Sequence, residues 1–570
     1  MVPLLLCLAL FAALVFGLGV PLVAAGPWRA DEKLGAGAAL GVILIYLAAM
    51  IRYWLDLPAG ACVLLAVAAA GLVAWRRRAC AAVARDPAAR RMAGAWLLVA
   101  GWSLAFLALV RTYSGGGWAL DWADHYDRAR LFLHHWPAHW RLYGGDTLPT
   151  RPPLANAVTS VFLALSRPDF AYFQIFTTLA ATLAFLPAWL WAGRFGAHAP
   201  RAQALFTLLF LLNPSVVENA TFAWTKLPTV FFVLSSLYAL PWTEAEESPA
   251  RTAACFGFLA AALMTHYSAA PYVVALAAAW VWWRRGSWRR RAFWVRTLQG
   301  ALAAAALAAT WFAWALAEFG WKGTLFSNTS VTETTARSAG GFLHEKGLNL
   351  VNTLVPHFLR PVDYEPILRD NPLSFLRDYC FQLYQVNLPM MFGLAGAATL
   401  GWTLARRRRA PAAPGAPPPA FWWWFAGCAV VLGTAASGGI DHWGVAHLCL
   451  QSLLLLGLAV LAARLDETPR WWRAVYAAGL AVDFALGVGL QFLLENRYYS
   501  PAETMRRIGQ ILPEGFDATT WVNLRAQTSH GYEYVGNWPI ARPLLVLLLA
   551  CLLALALVRL RGTRDRAPAP

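Results

Sequence analysis

Charged residues are scarce in this chain. Asp, Glu, Lys and Arg make up only 14% of the 570 residues, hydrophobic residues make up 59%, and the mean hydropathy is +0.49. These values exclude both an intrinsically disordered chain and an ordinary soluble globular domain. Cysteine is also uncommon: of the eight residues only Cys380 falls in a long polar segment. We therefore expect neither a structural disulfide nor a metal site built from Cys and His.

Apolar runs, by contrast, recur along the whole sequence, and most are long enough, or nearly so, to cross a bilayer. They predict an all-α fold, a polytopic transmembrane helical bundle of about 13 to 15 spans. The first run has no basic residues before it, so we expect a span with its N-terminus outside, and a cleavable signal ending near Ala25 is the alternative. We place the spans near 2–25, 36–53, 59–75, 94–112, 170–193, 201–217, 226–242, 252–267, 270–284, 297–319, 389–405, 421–437, 448–464, 472–493 and 542–560.

Arginines cluster in four connections that all fall on one side of these spans. By the positive-inside rule that side is cytoplasmic. The net charge of +17 is therefore a topology signal, and we expect no nucleic acid partner. The four connections are residues 76–91, 284–296, 406–409 and 559–566.

This topology divides the chain into four parts. They are the N-terminal transmembrane helices (1–93), a catalytic transmembrane core (94–319) with an outward loop (113–153), a second outward loop (320–388), and the C-terminal transmembrane helices (389–570) with a small outward loop (494–541).

The most polar stretch, Gly115 to Pro153, lies in the first outward loop. Ionisable groups held beside a bilayer mark functional sites. Wound as a helix from Asp121, the stretch has an acidic and basic face opposite an apolar stripe, which predicts an amphipathic juxtamembrane helix lying in the interface, its acids toward water or a cavity. The polar face carries Asp121, Asp124, His125 and Arg128, and the stripe carries Trp122, Tyr126, Ala129, Leu133 and Trp136.

Other polar groups stand at the outward ends of the spans. Two prolines after Arg151 predict a helix start with the guanidinium at the water boundary. Asn213-Pro214 closes span 201–217, and Thr265-His266-Tyr267 closes span 252–267. The candidate substrate-binding residues are His125, Arg128, Arg151, Glu218, Lys226, His266 and His442.

These motifs resemble the GT-C superfamily of integral-membrane glycosyltransferases, which includes protein mannosyltransferases and aminoarabinose transferases that use polyprenyl-phosphate sugars. The family's acidic motif, D-E-x-x-H/Y-x-x-x-A, is similar to D-W-A-D-H-Y-D-R-A, which puts Asp121 and Ala129 in register. Its K-P or R-P-P-L element matches residues 151–154, and its Thr-Lys-Tyr element appears as residues 265–267. The resemblance covers roughly residues 94 to 290.

Two departures from the family pattern affect the expected site. Trp122 replaces the motif's Glu, so Asp124 would supply the second carboxylate. Lys226 stands where the family has a second-loop aspartate, which removes a metal ligand and adds a cation that attracts phosphate. We therefore predict no metal-binding residues and no obligatory cofactor, and Mg²⁺ or Mn²⁺ stays possible.

The resemblance implies transfer of a sugar from a polyprenyl-phosphate donor to an acceptor lipid, glycan or protein, with inversion at the anomeric carbon. Asp121 or Asp124 would be the catalytic base, and Arg151, Lys226 and His266 would hold the phosphate. The implied location is a bacterial inner membrane, in contact with membrane lipids, with the site on the periplasmic face. The alternatives are a glycan polymerase or ligase with a diphosphate-linked donor, and a lipid or solute transporter, for which we would expect charges at mid-membrane and related halves.

Each candidate also has a structural interpretation. The two acids can pair with Arg128 and Arg130 on a solvated helix, and Arg151 and Lys226 can be snorkelling anchors. The histidine at 266 can be a neutral group between packed helices, and Asp441-His442 can simply end a helix.

Overall fold

The structure, a computed structural model, describes residues 2–111, 113, 121–142, 146–243, 246–328, 338–360, 372–407, 417–445, 448–494 and 533–539, together with 546, 549–555 and 557. All regular secondary structure within these ranges is helical. This confirms the predicted all-α class.

The structure contains 23 α-helices within the described ranges. The first eleven are α1 (Val2–Val23), α2 (Ala30–Trp54), α3 (Val63–Trp75), α4 (Arg77–Arg85), α5 (Pro87–Leu107), α6 (Asp121–His134), α7 (Leu154–Ala164), α8 (Phe170–Thr182), α9 (Phe185–Phe195), α10 (Ala199–Leu212) and α11 (Pro214–Thr221). The remainder are α12 (Lys226–Ala239), α13 (Pro249–Thr265), α14 (Ala270–Trp283), α15 (Arg291–Leu325), α16 (Ala339–Leu354), α17 (Pro372–Val386), α18 (Leu388–Met391), α19 (Gly396–Arg407), α20 (Pro419–Gly427), α21 (Gly433–Ala435), α22 (Gln451–Arg464) and α23 (Arg470–Gly487).

The described part of the chain contains fewer full-length apolar helices than the 13 to 15 predicted spans. Within the described ranges, five helices are long and apolar enough to cross a membrane, or seven if each of two bent pairs is one span. Several predicted spans are instead shorter helices, such as the 14-residue α12 and the 17-residue α13. Hydropathy alone could not separate a full crossing from a short helix inside the bundle, because both are apolar. Most of the predicted outward loop 494–541 lies outside the described residues.

Proline after a capping residue sets several helix starts. Asp86 accepts hydrogen bonds from the amides of residues 88 and 89 at the start of α5, and Ser248 caps α13 in the same way. Asn213 caps α11 and also breaks the predicted span 201–217, because the residue before a proline is driven into extended conformation. The axes of α10 and α11 therefore differ by 66°.

Helices α1 and α2 pack closely because glycines face each other. A Cβ atom at Gly19 would overlap the carbonyl of Gly37, and one at Gly41 would overlap the carbonyl of Val15. Small residues allow such backbone approach in membrane helices, where apolar burial alone drives association weakly.

Ion pairs gather several connections at the arginine-rich end of the bundle. Arg194 contacts Glu246 (2.8 Å), and Arg201 contacts Asp466 (2.7 Å). Arg296 similarly contacts Glu247 (2.8 Å). The segments around residues 194–201, 246–247, 296 and 466 therefore lie together, at the end of the bundle opposite α6.

Two half-buried cysteines provide a test of orientation. Cys80 lies in α4 at the arginine-rich end, and Cys380 lies in α17 in the predicted outward loop. We expect a membrane-impermeant thiol reagent to label Cys380 and spare Cys80 in intact cells, and to reach both after the cells are opened. Labelling of Cys80 alone in intact cells would reverse the topology.

Candidate functional site

The predicted amphipathic helix is confirmed: α6 begins at Asp121 and runs to His134. Its apolar stripe packs as expected, with the ring of Trp122 4.9 Å and that of Tyr126 5.2 Å from the ring of Phe170. Of the two predicted surroundings for its polar face, water or a cavity, bulk water does not apply to Asp124 and Arg128, which are only 4% and 1% exposed. The helix is thus buried on both sides, which fixes the polar side chains within protein.

The C-terminal end of α6 is held by α2. The guanidinium of Arg52 donates to the carbonyls of Phe132 and Leu133, and the Tyr53 hydroxyl donates to the carbonyl of Trp136 (3.0 Å). A cation at a helix C-terminus also interacts favourably with the helix dipole. The sequence analysis missed Arg52, although an arginine inside an apolar run is itself a signal of a specific partner.

Two carboxylates and two guanidinium groups form the centre of the site, which we call the acid–arginine cluster (Asp121, Asp124, Arg128 and Arg151). Arg151 Nη2 lies 2.5 Å from Asp121 Oδ1, and its Nε lies 2.9 Å from Asp124 Oδ2. Arg128 Nε lies 2.8 Å from the same Oδ2 of Asp124. The four formal charges therefore cancel within the cluster.

Arg128 also ties α6 to the next segment. Its Nη1 donates to the carbonyl of Leu148 (2.6 Å), and its Nη2 donates to the Thr150 hydroxyl (2.6 Å). Residues 148–150 form a 3-10 turn, and Arg151 and the two prolines that start α7 follow it directly. Arg128 thus aligns Arg151 with the acids.

Burial and pairing act in opposite directions on the acids. Burial by itself would raise the pKa of Asp124, but Arg128 and Arg151 outweigh it and hold the pKa below its usual value. The pKa of Arg151 is raised, since its acidic neighbours outweigh the effect of burial. Asp146, which the sequence analysis did not select, has a raised pKa because of burial and the nearby charge of Asp124.

His125 is buried beside the cluster and faces α7. Its Nδ1 lies 3.2 Å from Asn156 Oδ1, so Nδ1 donates and Nε2 keeps a lone pair. Burial, with the charge of Arg151, lowers the pKa of His125 to about 4. Both residues line a cavity of about 30 Å³, and neither His125 Nε2 nor Asn156 Nδ2 has a partner within the described ranges. The cavity can hold a water molecule between these atoms.

The neutral His125 predicts a pH dependence of stability. Its folded pKa lies below the unfolded value of about 6.5, so its contribution is present above that value and is lost as pH falls toward 4. We expect a loss of about 2 kcal/mol between pH 7 and pH 5 from this residue. Thermal unfolding of the purified protein should show a smaller loss for His125→Gln. His139→Gln, a substitution of an exposed histidine, should show the same loss of stability as wild type. Equal pH dependence in wild type and both variants would contradict the assignment of this loss to His125.

Lys226 begins α12 and is 6% exposed. Its Nζ lies 4.1 Å from the ring centre of Trp224, and the charges of Asp121 and Arg151 act on it. A buried cation at a helix N-terminus opposes the helix dipole, whereas an anion bound there would satisfy both groups. The ammonium group of Lys226 thus interacts electrostatically with the acid–arginine cluster.

His266 approaches the same region from the end of α13. Its Nδ1 accepts a hydrogen bond from the amide of Ser268 (3.1 Å). The adjoining Tyr267 donates to the carbonyl of Pro149 (3.1 Å), in the turn that Arg128 also contacts. The R-P-P segment and the Thr-His-Tyr segment are therefore neighbours in space.

Two predicted site residues belong to other networks. Glu218 is buried in α11 and accepts a hydrogen bond from Gln385 (2.7 Å). The side chain of His442 is exposed, and its carbonyl accepts a hydrogen bond from Arg360 (2.6 Å), in a loop that α16 also binds. These contacts support a packing role for Glu218 and a loop position for His442.

No group of three or more His, Cys, Asp or Glu side chains within the described ranges has the arrangement of a metal site. Asp121 and Asp124 are each bonded to Arg151. A cation at the bonded oxygens, Asp121 Oδ1 and Asp124 Oδ2, would have to displace this guanidinium.

Comparisons with known proteins give a limited result. No protein-family model and no curated protein matches the chain. Two solved structures of ArnT from Cupriavidus metallidurans are similar, one bound to undecaprenyl phosphate (17% identity) and one in the apo state (15% identity). Each match covers 82% of this chain and 75% of the other, with a TM-score of 0.45. At this level the similarity identifies no family for the chain.

Proposed function

We propose that this protein is a membrane-bound glycosyltransferase that moves a sugar from a polyprenyl-phosphate donor to a hydroxyl of a lipid, glycan or protein acceptor. The observation that carries the proposal is the acid–arginine cluster, with Lys226 within electrostatic range, at the end of the bundle opposite its arginine-rich connections. Carboxylates and cations held together suit a reaction that deprotonates one substrate and releases a phosphate from another.

Asp121 is the better placed general base. Its side chain is 18% exposed and pairs with Arg151. Asp124 is 6% exposed at its side chain, and a single oxygen takes bonds from both arginines. A base must be open to the acceptor hydroxyl, so we assign the base to Asp121 and the alignment of both arginines to Asp124.

Arg151 and Lys226 would bind the donor phosphate. Arg151 keeps Nη1 unengaged within the described ranges while Nε and Nη2 hold the acids. Lys226 adds a point charge at a helix N-terminus, where phosphate groups bind well. As Asp121 takes the proton of the acceptor hydroxyl, the acceptor oxygen would attack the anomeric carbon on the face opposite the phosphate. The bond from the anomeric carbon to the phosphate oxygen would break, the lipid phosphate would leave toward these cations, and the configuration at the anomeric carbon would invert.

The same charge balance supports transfer without a resident divalent ion, because arginines already neutralise the acids. In this proposal Arg151 and Lys226 stabilise the departing phosphate.

Donor affinity tests the two cations. Arg151→Ala and Lys226→Ala should each weaken binding of undecaprenyl phosphate by about tenfold to a hundredfold, the usual cost of one charge-assisted hydrogen bond. Titration of the purified protein with this lipid, followed by intrinsic tryptophan fluorescence, measures the effect.

Arg130→Ala is the matched control, since Arg130 lies on α6 but pairs with Asp127 (3.4 Å) outside the cluster. Equal affinity in wild type and all three variants would make Arg151 and Lys226 structural anchors. Preference for an undecaprenyl diphosphate over the monophosphate would favour a polymerase or ligase.

A further inference from the structure

A second cavity lies at the opposite, arginine-rich end of the bundle. This groove, of about 320 Å³, is lined by residues of α1, α2, α3, α4 and α5. Its wall is almost wholly apolar, with Cys80 and Arg90 as the exceptions; the apolar lining includes Phe16, Val20, Leu34, Val73, Val83 and Ala93.

Helix α4 closes one side of this groove and is strongly amphipathic. The chain turns by 82° between α3 and α4, so α4 runs across the end of the bundle instead of continuing the span. Ala79 and Val83 pack against residues of α1 and α5, whereas the side bearing Arg77, Arg78 and Arg85 is exposed. A helix with this pattern suits a membrane interface.

The arginines around the groove differ from several others at this end of the bundle. Arg77, Arg78, Arg85, Arg90 and Arg91 form no ion pair within the described part of the chain, whereas Arg194, Arg201, Arg251 and Arg296 pair with Glu246, Asp466, Glu32 and Glu247, respectively. The acid between them, at position 86, bonds the first amides of α5. The rim of the groove therefore carries uncompensated positive charge.

An apolar groove beneath uncompensated arginines is complementary to one kind of molecule, an amphiphile with a hydrocarbon chain and an anionic head. We propose that the groove binds an anionic phospholipid of the cytoplasmic leaflet. One acyl chain lies along Phe16, Val73 and Ala93, and the phosphate contacts Arg90 and the arginines of α4. Each arginine near an anionic lipid surface strengthens binding about fivefold. The site is separate from the acid–arginine cluster and does not depend on the proposed reaction.

Native mass spectrometry of the full chain in detergent tests the headgroup preference. Wild type should retain phosphatidylglycerol as a discrete adduct and release phosphatidylcholine of the same chain length. The triple variant Arg77→Gln/Arg85→Gln/Arg90→Gln should bind phosphatidylglycerol about a hundredfold more weakly.

The matched control is Arg285→Gln/Arg289→Gln/Arg291→Gln, which removes three cytoplasmic charges that do not line this groove. It should keep wild-type lipid binding. An equal loss in both triple variants would show general surface attraction, and equal retention of the two lipids by wild type would overturn the headgroup preference. Retention of undecaprenyl phosphate in place of phosphatidylglycerol would also overturn the proposal.

The alkylation rate of Cys80 tests whether an acyl chain occupies the groove, and it can be measured in wild type without substituting any arginine. It lines the groove, so phosphatidylglycerol added to wild type should slow its alkylation by a maleimide, and phosphatidylcholine should not. Ala93→Phe, which fills the groove and keeps every arginine, should abolish both the protection and the adduct. Unchanged alkylation rates with the two lipids, or full lipid binding by Ala93→Phe, would place the lipid elsewhere.

Discussion

Asp121→Asn is expected to reduce sugar transfer by about a hundredfold to ten-thousandfold, the usual contribution of a positioned general base. Asparagine keeps the size of the side chain and can still hydrogen-bond Arg151, so the fold and the binding of the donor should survive. A base acts mainly in the transition state, so the turnover number should fall while donor affinity stays within a few-fold. Turnover of a polyprenyl-phosphate sugar by the purified protein measures this.

Asp127→Asn is the control for this experiment. Asp127 lies on the same helix, is 21% exposed at its side chain and pairs with Arg130, so it matches Asp121 in exposure but not in position. Its substitution should leave turnover unchanged. Full activity of Asp121→Asn would show that Asp121 is not the general base. Equal losses of turnover in Asp121→Asn and Asp127→Asn would indicate damage to α6.

Arg128→Met is expected to lower the free energy of unfolding by about 3 to 5 kcal/mol, the range for removing one member of a buried ion pair. The side chain is 1% exposed, and its loss removes the donor to Leu148 and Thr150 and leaves Asp124 with Arg151 as its remaining ion-pair partner in the cluster. Thermal or denaturant unfolding of the purified protein gives the comparison with wild type.

The double variant Asp124→Leu/Arg128→Met separates pairing from packing. Removal of both charges takes away the carboxylate that has lost one partner, so the double variant should be more stable than Arg128→Met alone. Additive losses would mean that the guanidinium contributes chiefly through the turn at residues 148–150.

Local patterns in the sequence predicted the parts of the site that depend on nearby residues. Helical spacing put Asp121, Asp124 and Arg128 on one face, and the two prolines after Arg151 predicted the start of α7, because both effects act within a few residues. The acidic motif could therefore be predicted from the sequence without knowledge of the tertiary structure.

Long-range contacts explain what the sequence left out. Arg52 binds carbonyls 81 residues away, and Asn156 meets a histidine 31 residues away, which no periodicity encodes. The sequence left open whether the polar face of α6 meets water or a cavity, because nothing local indicated that α7 and the turn before it would cover that face. Several predicted spans are shorter helices for a related reason, since an apolar helix inside a bundle needs no bilayer-spanning length.

In the proposed reaction the bond between Arg151 and Asp121 would act as an interlock in the resting protein. A carboxylate held by a guanidinium is a poor proton acceptor, and the lipid phosphate would bind to the same guanidinium through Nη1. The phosphate would weaken the bond from Nη2 to Asp121 and leave that carboxylate better able to take a proton, so the base would become active only when a donor sugar is in place. Such an order of events predicts that the acceptor cannot react first, and it would keep water from being activated at an empty site.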